Sequence, residues 1–210
     1  MKNIDSLIFD MDGTLWDAVD SYVQSWNEGA KIENIDRVFT RADLDHVMGW
    51  ERGKVLPYFF PDKNDDERER IYETINQCRA KIIPQQGGIL YEGVREGIKK
   101  LASKYKLFVV SNCPKGLIIE FMTWAGLQEY FVDEMAHGVN SKPKSHNIKL
   151  LIDKHNLLKP VYIGDTNGDS IDSRAANVPF VLVTYGFGNT DDFDLKFDDF
   201  NSLTDYYMNL

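Results

Sequence analysis

An apolar run at residues 6–9, Ser-Leu-Ile-Phe, ends in two carboxylates one residue apart, Asp10 and Asp12, followed by a turn at Gly13-Thr14. Far along the chain a second run, 161–163, ends in another acidic cluster, Gly164-Asp165-Thr166-Asn167-Gly168-Asp169. Carboxylates crowded together raise one another's pKa unless a cation neutralises them, so two strand ends that both deliver them describe opposite sides of one metal site suited to phosphoryl chemistry. A calcium loop also opens Asp-x-Asp, but it needs Gly at its sixth position and Glu at its twelfth. Here Gly13 is fourth and Ser21 twelfth, which removes that reading.

Alternation of strand and helix patterns sets the fold. Apolar runs at 6–9, 107–110, 130–135, 161–163 and 180–183 are separated by helix-patterned segments at 94–105, 117–125, 147–155 and 170–176. That order predicts a doubly wound α/β core with a parallel sheet, in which ligands sit beyond the carboxyl ends of the strands. Asp10, Ser111 and Asp165 all fall at such ends. The alternation breaks once. Residues 16–86 carry no convincing strand but several helical stretches, at 17–30, 41–48 and 65–83. A crossover between neighbouring strands rarely needs so many residues, so 16–87 is expected to be an inserted α-helical cap, with 1–15 and 88–210 forming the core. Pro84 is expected to end the last cap helix and residues 84–88 to act as a hinge.

The 43% hydrophobic content of the 210 residues is enough for a real interior. A net charge of −9 argues against nucleic-acid or anionic-membrane partners, which require a positive field. No stretch resembles a signal peptide or a membrane span, so the expected location is cytoplasmic. Cys78 and Cys113 suggest no disulfide framework, and the four histidines show no zinc-ligand spacing.

The stretch Asp10-Met11-Asp12-Gly13-Thr14 resembles the first motif of the haloacid dehalogenase superfamily. The resemblance extends to Ser111-Asn112, to a lysine at 142 or 144, and to Gly164-Asp165 with Asp169, in the order the superfamily keeps. Phe60-Pro61-Asp62, Tyr91-Glu92-Gly93-Val94 and Tyr185-Gly186-Phe187-Gly188 are most similar to its phosphoglycolate phosphatase-like branch. The resemblance implies Asp10 as nucleophile, forming an aspartyl-phosphate, and Asp12 as the acid-base that serves both half-reactions. It implies Mg²⁺ held by Asp10, the Asp12 carbonyl and Asp165, with Asp169 behind them. Ser111 and Asn112 would bind phosphoryl oxygens, together with Lys144 or Lys142, which in an extended segment would point the same way. In the cap, Gly49, Trp50 and Arg52 match a specificity loop, Arg52 being positioned for a second anionic group.

The activity so implied is Mg²⁺-dependent hydrolysis of a small phosphorylated metabolite, either phosphoglycolate-like or a sugar phosphate. A dehalogenase or a phosphonate hydrolase would lack the second aspartate, which is present as Asp12. A sugar-phosphate mutase keeps it and is the enzymatic alternative. A phospho-acceptor signalling domain is the non-enzymatic one, although such domains carry no insertion after the first strand. Neither the substrate nor the oligomeric state is readable from the sequence.

Overall fold

The computed structural model describes residues 3–210; residues 1 and 2, assigned by sequence to the core, lie outside the described residues. The strands are β1 (Ser6–Phe9), β2 (Trp16–Asp17), β3 (Ile89–Leu90), β4 (Lys106–Ser111), β5 (Asp133–Ala136), β6 (Pro160–Gly164), β7 (Phe180–Val183) and β8 (Leu195–Phe197). Six of them form one parallel sheet in the order β5-β4-β1-β6-β7-β8. Leu7, Ile8 and Phe9 are fully buried, as are Leu107 to Val110 and Tyr162 to Ile163. Strands covered on both faces read as continuous apolar runs, which is why these were visible in the sequence.

The helices are α1 (Val19–Ile32), α2 (Arg41–Asp45), α3 (Arg52–Phe59), α4 (Asp65–Gln86), α5 (Val94–Ala102), α6 (Leu117–Ala125), α7 (His137–Asn140), α8 (Lys144–His155), α9 (Asn167–Ala175) and α10 (Phe200–Met208). The first four follow β1 without entering the large sheet, and α1 packs along α4. They share an aromatic nucleus in which Trp26 meets Phe39 and Phe59 with ring centroids 5.0 and 5.1 Å apart. No helix among the described residues is long and apolar enough to cross a membrane.

Several expectations need correction. Residues 16–86 do contain a strand, because β2 pairs with β3 in an antiparallel stub between the two parts of the chain. Pro84 does not end α4, which continues to Gln86. Its missing N–H costs one bond, to the carbonyl of exposed Ala80 near the end of the helix. The chain turns instead at Gly87, whose φ of +61° is strained for other residues; a Cβ there would also strike the Trp124 indole. The run at 130–135 becomes a 3₁₀ turn at Gln128–Tyr130 and then β5, displaced toward its acidic end. The segment 41–48 is helical only to Asp45, whereas α3 and β8 had no clear sequence signal.

Candidate active site

Strand order reverses at β1: the chain passes from β1 to β4 and β5 on one side, then crosses back to β6 on the other. Phe9 is in register with Val109 of β4 and with Ile163 of β6. The residues that follow each strand therefore meet at the switch point. Asp10 leaves β1 with its N–H donating to the Ile163 carbonyl at 2.8 Å; Ser111 closes β4 and Asp165 follows β6.

Carboxylate oxygens of Asp10, Asp165 and Asp169 lie within 4.8 Å of one another, and all three residues are buried. Lys144 Nζ stands 3.0 Å from Asp10 Oδ1 and donates to Asp169 Oδ1 at 2.5 Å. The other lysine, Lys142, is exposed on the loop before α8. An extended segment would have aligned the two, but Pro143 caps α8 and Lys144 is its first residue, so their side chains diverge. Asp169 Oδ2 accepts from the Thr166 N–H at 3.0 Å and its hydroxyl at 2.6 Å, completing the capping box of α9. The Tyr162 hydroxyl reaches Asp169 Oδ1 at 3.3 Å. Asp169 is thus engaged by Lys144 and by its own helix. Asp165 accepts from the Phe187 N–H at 2.7 Å and more distantly from the Thr14 hydroxyl, at 3.4 Å.

Gly13 makes this packing possible. Its φ is +83°, and a Cβ would lie 2.2 Å from Asp165 Oδ2.

Burial and crowded charge set the protonation chemistry. Burial raises the Asp10 carboxyl to about 6 against the pull of Lys144, while Asp169 pushes in the same direction as burial. Burial, and then the charges of Asp169 and Asp10, lift Asp165 well above the carboxylate range. Asp169 is held low because Lys144 overcomes its burial. Burial works against the Lys144 ammonium, yet Asp10 and Asp169 keep its pKa above normal. Asp12 is raised to about 7, chiefly by burial, and is restrained by a hydrogen bond from Tyr22. Both the Tyr22 hydroxyl, at 2.8 Å, and the Trp16 indole N–H, at 3.0 Å, donate to Asp12 Oδ1. The other oxygen is left to exchange a proton.

Four hard carboxylates against one lysine leave the cluster short of positive charge, even with Lys144 standing against Asp10 Oδ1. That donor set suits Mg²⁺, which takes carboxylate and carbonyl oxygens.

A cavity of about 130 Å³ runs from Asp10 and Asp12 to helices α1 to α4. Gly49, Trp50 and Arg52 line it. Asn112 Nδ2 donates to the Gly49 carbonyl at 3.0 Å, joining the loop after β4 to that segment. Arg52 is paired with Glu69 at 2.7 Å and lies over the Tyr72 ring. Sequence reasoning missed Tyr22, Arg79 and the Phe187 N–H, none of which belongs to a strand-end motif; the Tyr185-Gly186-Phe187-Gly188 stretch was the only signal for the last. Cys113 is buried and its thiol pushed up by burial, so it is an inert neighbour of the phosphoryl loop.

A family model described as haloacid dehalogenase-like hydrolase matches residues 7–183. The chain is 26% identical to "Probable phosphatase IndB" of Dickeya dadantii, over 88% of this chain and 83% of that protein. It is 27% identical to a phosphoglycolate phosphatase of Colwellia psychrerythraea, over 94% of each. A haloacid dehalogenase-like family protein of Streptococcus pneumoniae superposes with a TM-score of 0.85 at 18% identity, over 99% of this chain and all of that one, which speaks to the fold alone.

Proposed function

The chain belongs to the haloacid dehalogenase-like hydrolase family, and on that premise we propose that it is an Mg²⁺-dependent phosphatase acting on a small phosphomonoester through an aspartyl-phosphate on Asp10. The observation that carries the reading is the meeting of Asp10, Asp165, Asp169 and Lys144 beyond three adjacent strands. Kinship with phosphatases of similar length supports the reaction class. The substrate range consistent with that kinship is a phosphoglycolate-like or sugar phosphate. Residues 16–87 serve as the cap, and the core is formed by the rest.

Asp10, the Asp12 carbonyl and Asp165 would hold the metal, with Asp169 supporting from behind by fixing Lys144. The bound ion supplies charge neutralisation and withdraws electron density from the phosphoryl oxygens. An oxygen of Asp10 attacks phosphorus, the bond to the leaving alcohol breaks, and Asp12 delivers a proton to that alcohol. A pKa near 7 lets Asp12 carry this proton at neutral pH. As a carboxylate it then takes a proton from water, whose oxygen attacks phosphorus as the bond to Asp10 breaks. Lys144 holds Asp10 in place and offsets charge on the transferring group, while Ser111 and Asn112 receive phosphoryl oxygens. Gly49, Trp50 and Arg52 form part of the cap wall facing the leaving group.

A screen of phosphomonoesters with Mg²⁺ should release phosphate, and Asp10→Asn should abolish the release while leaving the fold intact. Undiminished turnover by Asp10→Asn would refute the nucleophile assignment.

A further inference from the structure

One cap loop reaches the catalytic groups. Met48, Gly49 and Trp50 lie between α2 and α3 and line the cavity together with Asp10 and Asp12. Two core segments meet that loop at Gly49. From the loop after β4, Asn112 Nδ2 donates to the Gly49 carbonyl at 3.0 Å. From the start of α9, Thr166 stands so close that a Cβ on Gly49 would lie 3.3 Å from its Cγ2. Gly49 also has a φ of +79°, in the left-handed region that glycine enters without strain. Close seating of the loop and its bond to Asn112 thus depend on the same small residue.

Both core segments belong to the reacting centre. Asn112 follows Ser111 at the end of β4, and Thr166 binds Asp169 through its N–H and its hydroxyl. Asn112 therefore stands at the phosphoryl loop with its main chain while its side-chain amide crosses to the cap. A bond across that seam fixes where the cap wall stands relative to Asp10 and Asp12.

We propose that Asn112 is a positioning residue: its side-chain amide latches the loop of Met48, Gly49 and Trp50 onto the core through the Gly49 carbonyl and so seats the cap wall against the leaving group. The leaving group belongs to the phosphatase reading, on which this role rests, whereas the latch itself is present in the ligand-free chain and is tested there.

Hydrogen exchange of single amides in the full, ligand-free chain tests the latch. The reporter is the Trp50 N–H, which donates to the Val47 carbonyl at 3.0 Å within the loop. In Asn112→Ala it should exchange about two- to twelve-fold faster, the factor carried by one neutral hydrogen bond, while amides of α10 keep their rates. Asn112→Ser, whose side chain is too short to span the same gap, should do the same and serves where Asn112→Ala does not fold. Gly49→Ala should free the loop from the other side, since its φ and Thr166 both oppose a Cβ. Adding Asn112→Ala to it should then change the Trp50 rate by less than about two-fold, because the shared bond is already lost. An unchanged Trp50 rate in the single Asn112 variants would overturn the latch. So would a rise matched in α10, or a full effect of Asn112→Ala in the Gly49→Ala background.

Kinetics tests the positioning. With p-nitrophenyl phosphate and Mg²⁺, Asn112→Ala should raise KM by the same factor and lower kcat by less, because a wall that meets the leaving group alike before and during transfer supplies uniform binding. A loss carried by kcat alone would overturn the role and make the side chain a ligand of the transferring group. Absence of phosphate release by the wild type from both p-nitrophenyl phosphate and phosphoglycolate would instead refute the phosphatase reading, with the exchange result still deciding the latch.

Discussion

Replacing Lys144 by Met removes the one ammonium group between two buried carboxylates while keeping most of the side-chain volume. Lys144 is 2% exposed, and its nitrogen lies 3.0 Å from Asp10 Oδ1 and 2.5 Å from Asp169 Oδ1. At an effective dielectric of about 20, unit charges 3 Å apart attract by roughly 5 kcal/mol. Part of the two attractions is cancelled by the cost of burying the ammonium and by repulsion between the acids. Breaking such a cluster from one side costs about 3–5 kcal/mol, since the surviving charges stay buried. For a chain of this length that corresponds to a fall in Tm of roughly 6–20 °C. The sign with pH follows from Asp10, whose folded pKa is raised to about 6 from the ordinary 3.8. Without Lys144 it rises further, so at pH 5 the acid is protonated and the penalty shrinks, while at pH 8 it is fully expressed. Thermal unfolding of wild type and Lys144→Met in metal-free buffer at both pH values measures this. Adding Asp169→Asn should restore on the order of 1–2 kcal/mol by removing one of the stranded charges. A variant that melts within 1 °C of wild type at pH 8, or that loses equally at pH 5 and pH 8, would refute the charge argument.

Tyr22→Phe removes a donor to Asp12 and should move the pH limb carried by Asp12 upward by roughly one to two pH units, the worth of a hydrogen bond to a charged group; a limb that stays in place would assign proton transfer elsewhere. Folding stability of the metal-free wild type should fall as pH rises from about 4 to about 7, Asp10 accounting for on the order of 3 kcal/mol, because a raised carboxyl is favourable only while protonated. Saturating Mg²⁺ or Asp10→Asn should flatten that slope, and denaturant titrations across the range would show whether they do. Gly13→Ala should cost more than about 2 kcal/mol and weaken Mg²⁺ binding, since both its φ and its 2.2 Å approach to Asp165 oppose a Cβ; a variant that binds Mg²⁺ normally would show that Asp165 can shift freely.

Much of the core was legible because its signals are local. A parallel strand covered on both faces is an unbroken apolar run, and a motif at its end states which side chain the switch point receives. The four strands of this kind, β1, β4, β6 and β7, were read correctly. β8 was not, because Leu195-Lys196-Phe197 at the sheet edge is only half covered and reads like the acidic loop around it. β5, at the opposite edge, was displaced for the same reason. Lys142 and Lys144 stayed ambiguous because the choice depends on where a helix begins, and helix starts are decided by backbone geometry at one residue, Pro143.

The cap wall was hidden for a different reason. Its chemistry depends on which charges remain after pairing, and pairing is a property of distant residues. Arg52 stands out in the sequence because Gly49 and Trp50 precede it, and its partner Glu69 comes from α4, seventeen residues on. Arg79 looked like an ordinary charge in a helical stretch beside Cys78, Ala80 and Lys81. Its burial and its ion pair with Glu120 arise because α4 lies beside α6. Strand-end acids reveal the reaction because proximity follows from the sheet itself. The cap wall is assembled where α1 packs along α4, and no local pattern in the sequence records that contact.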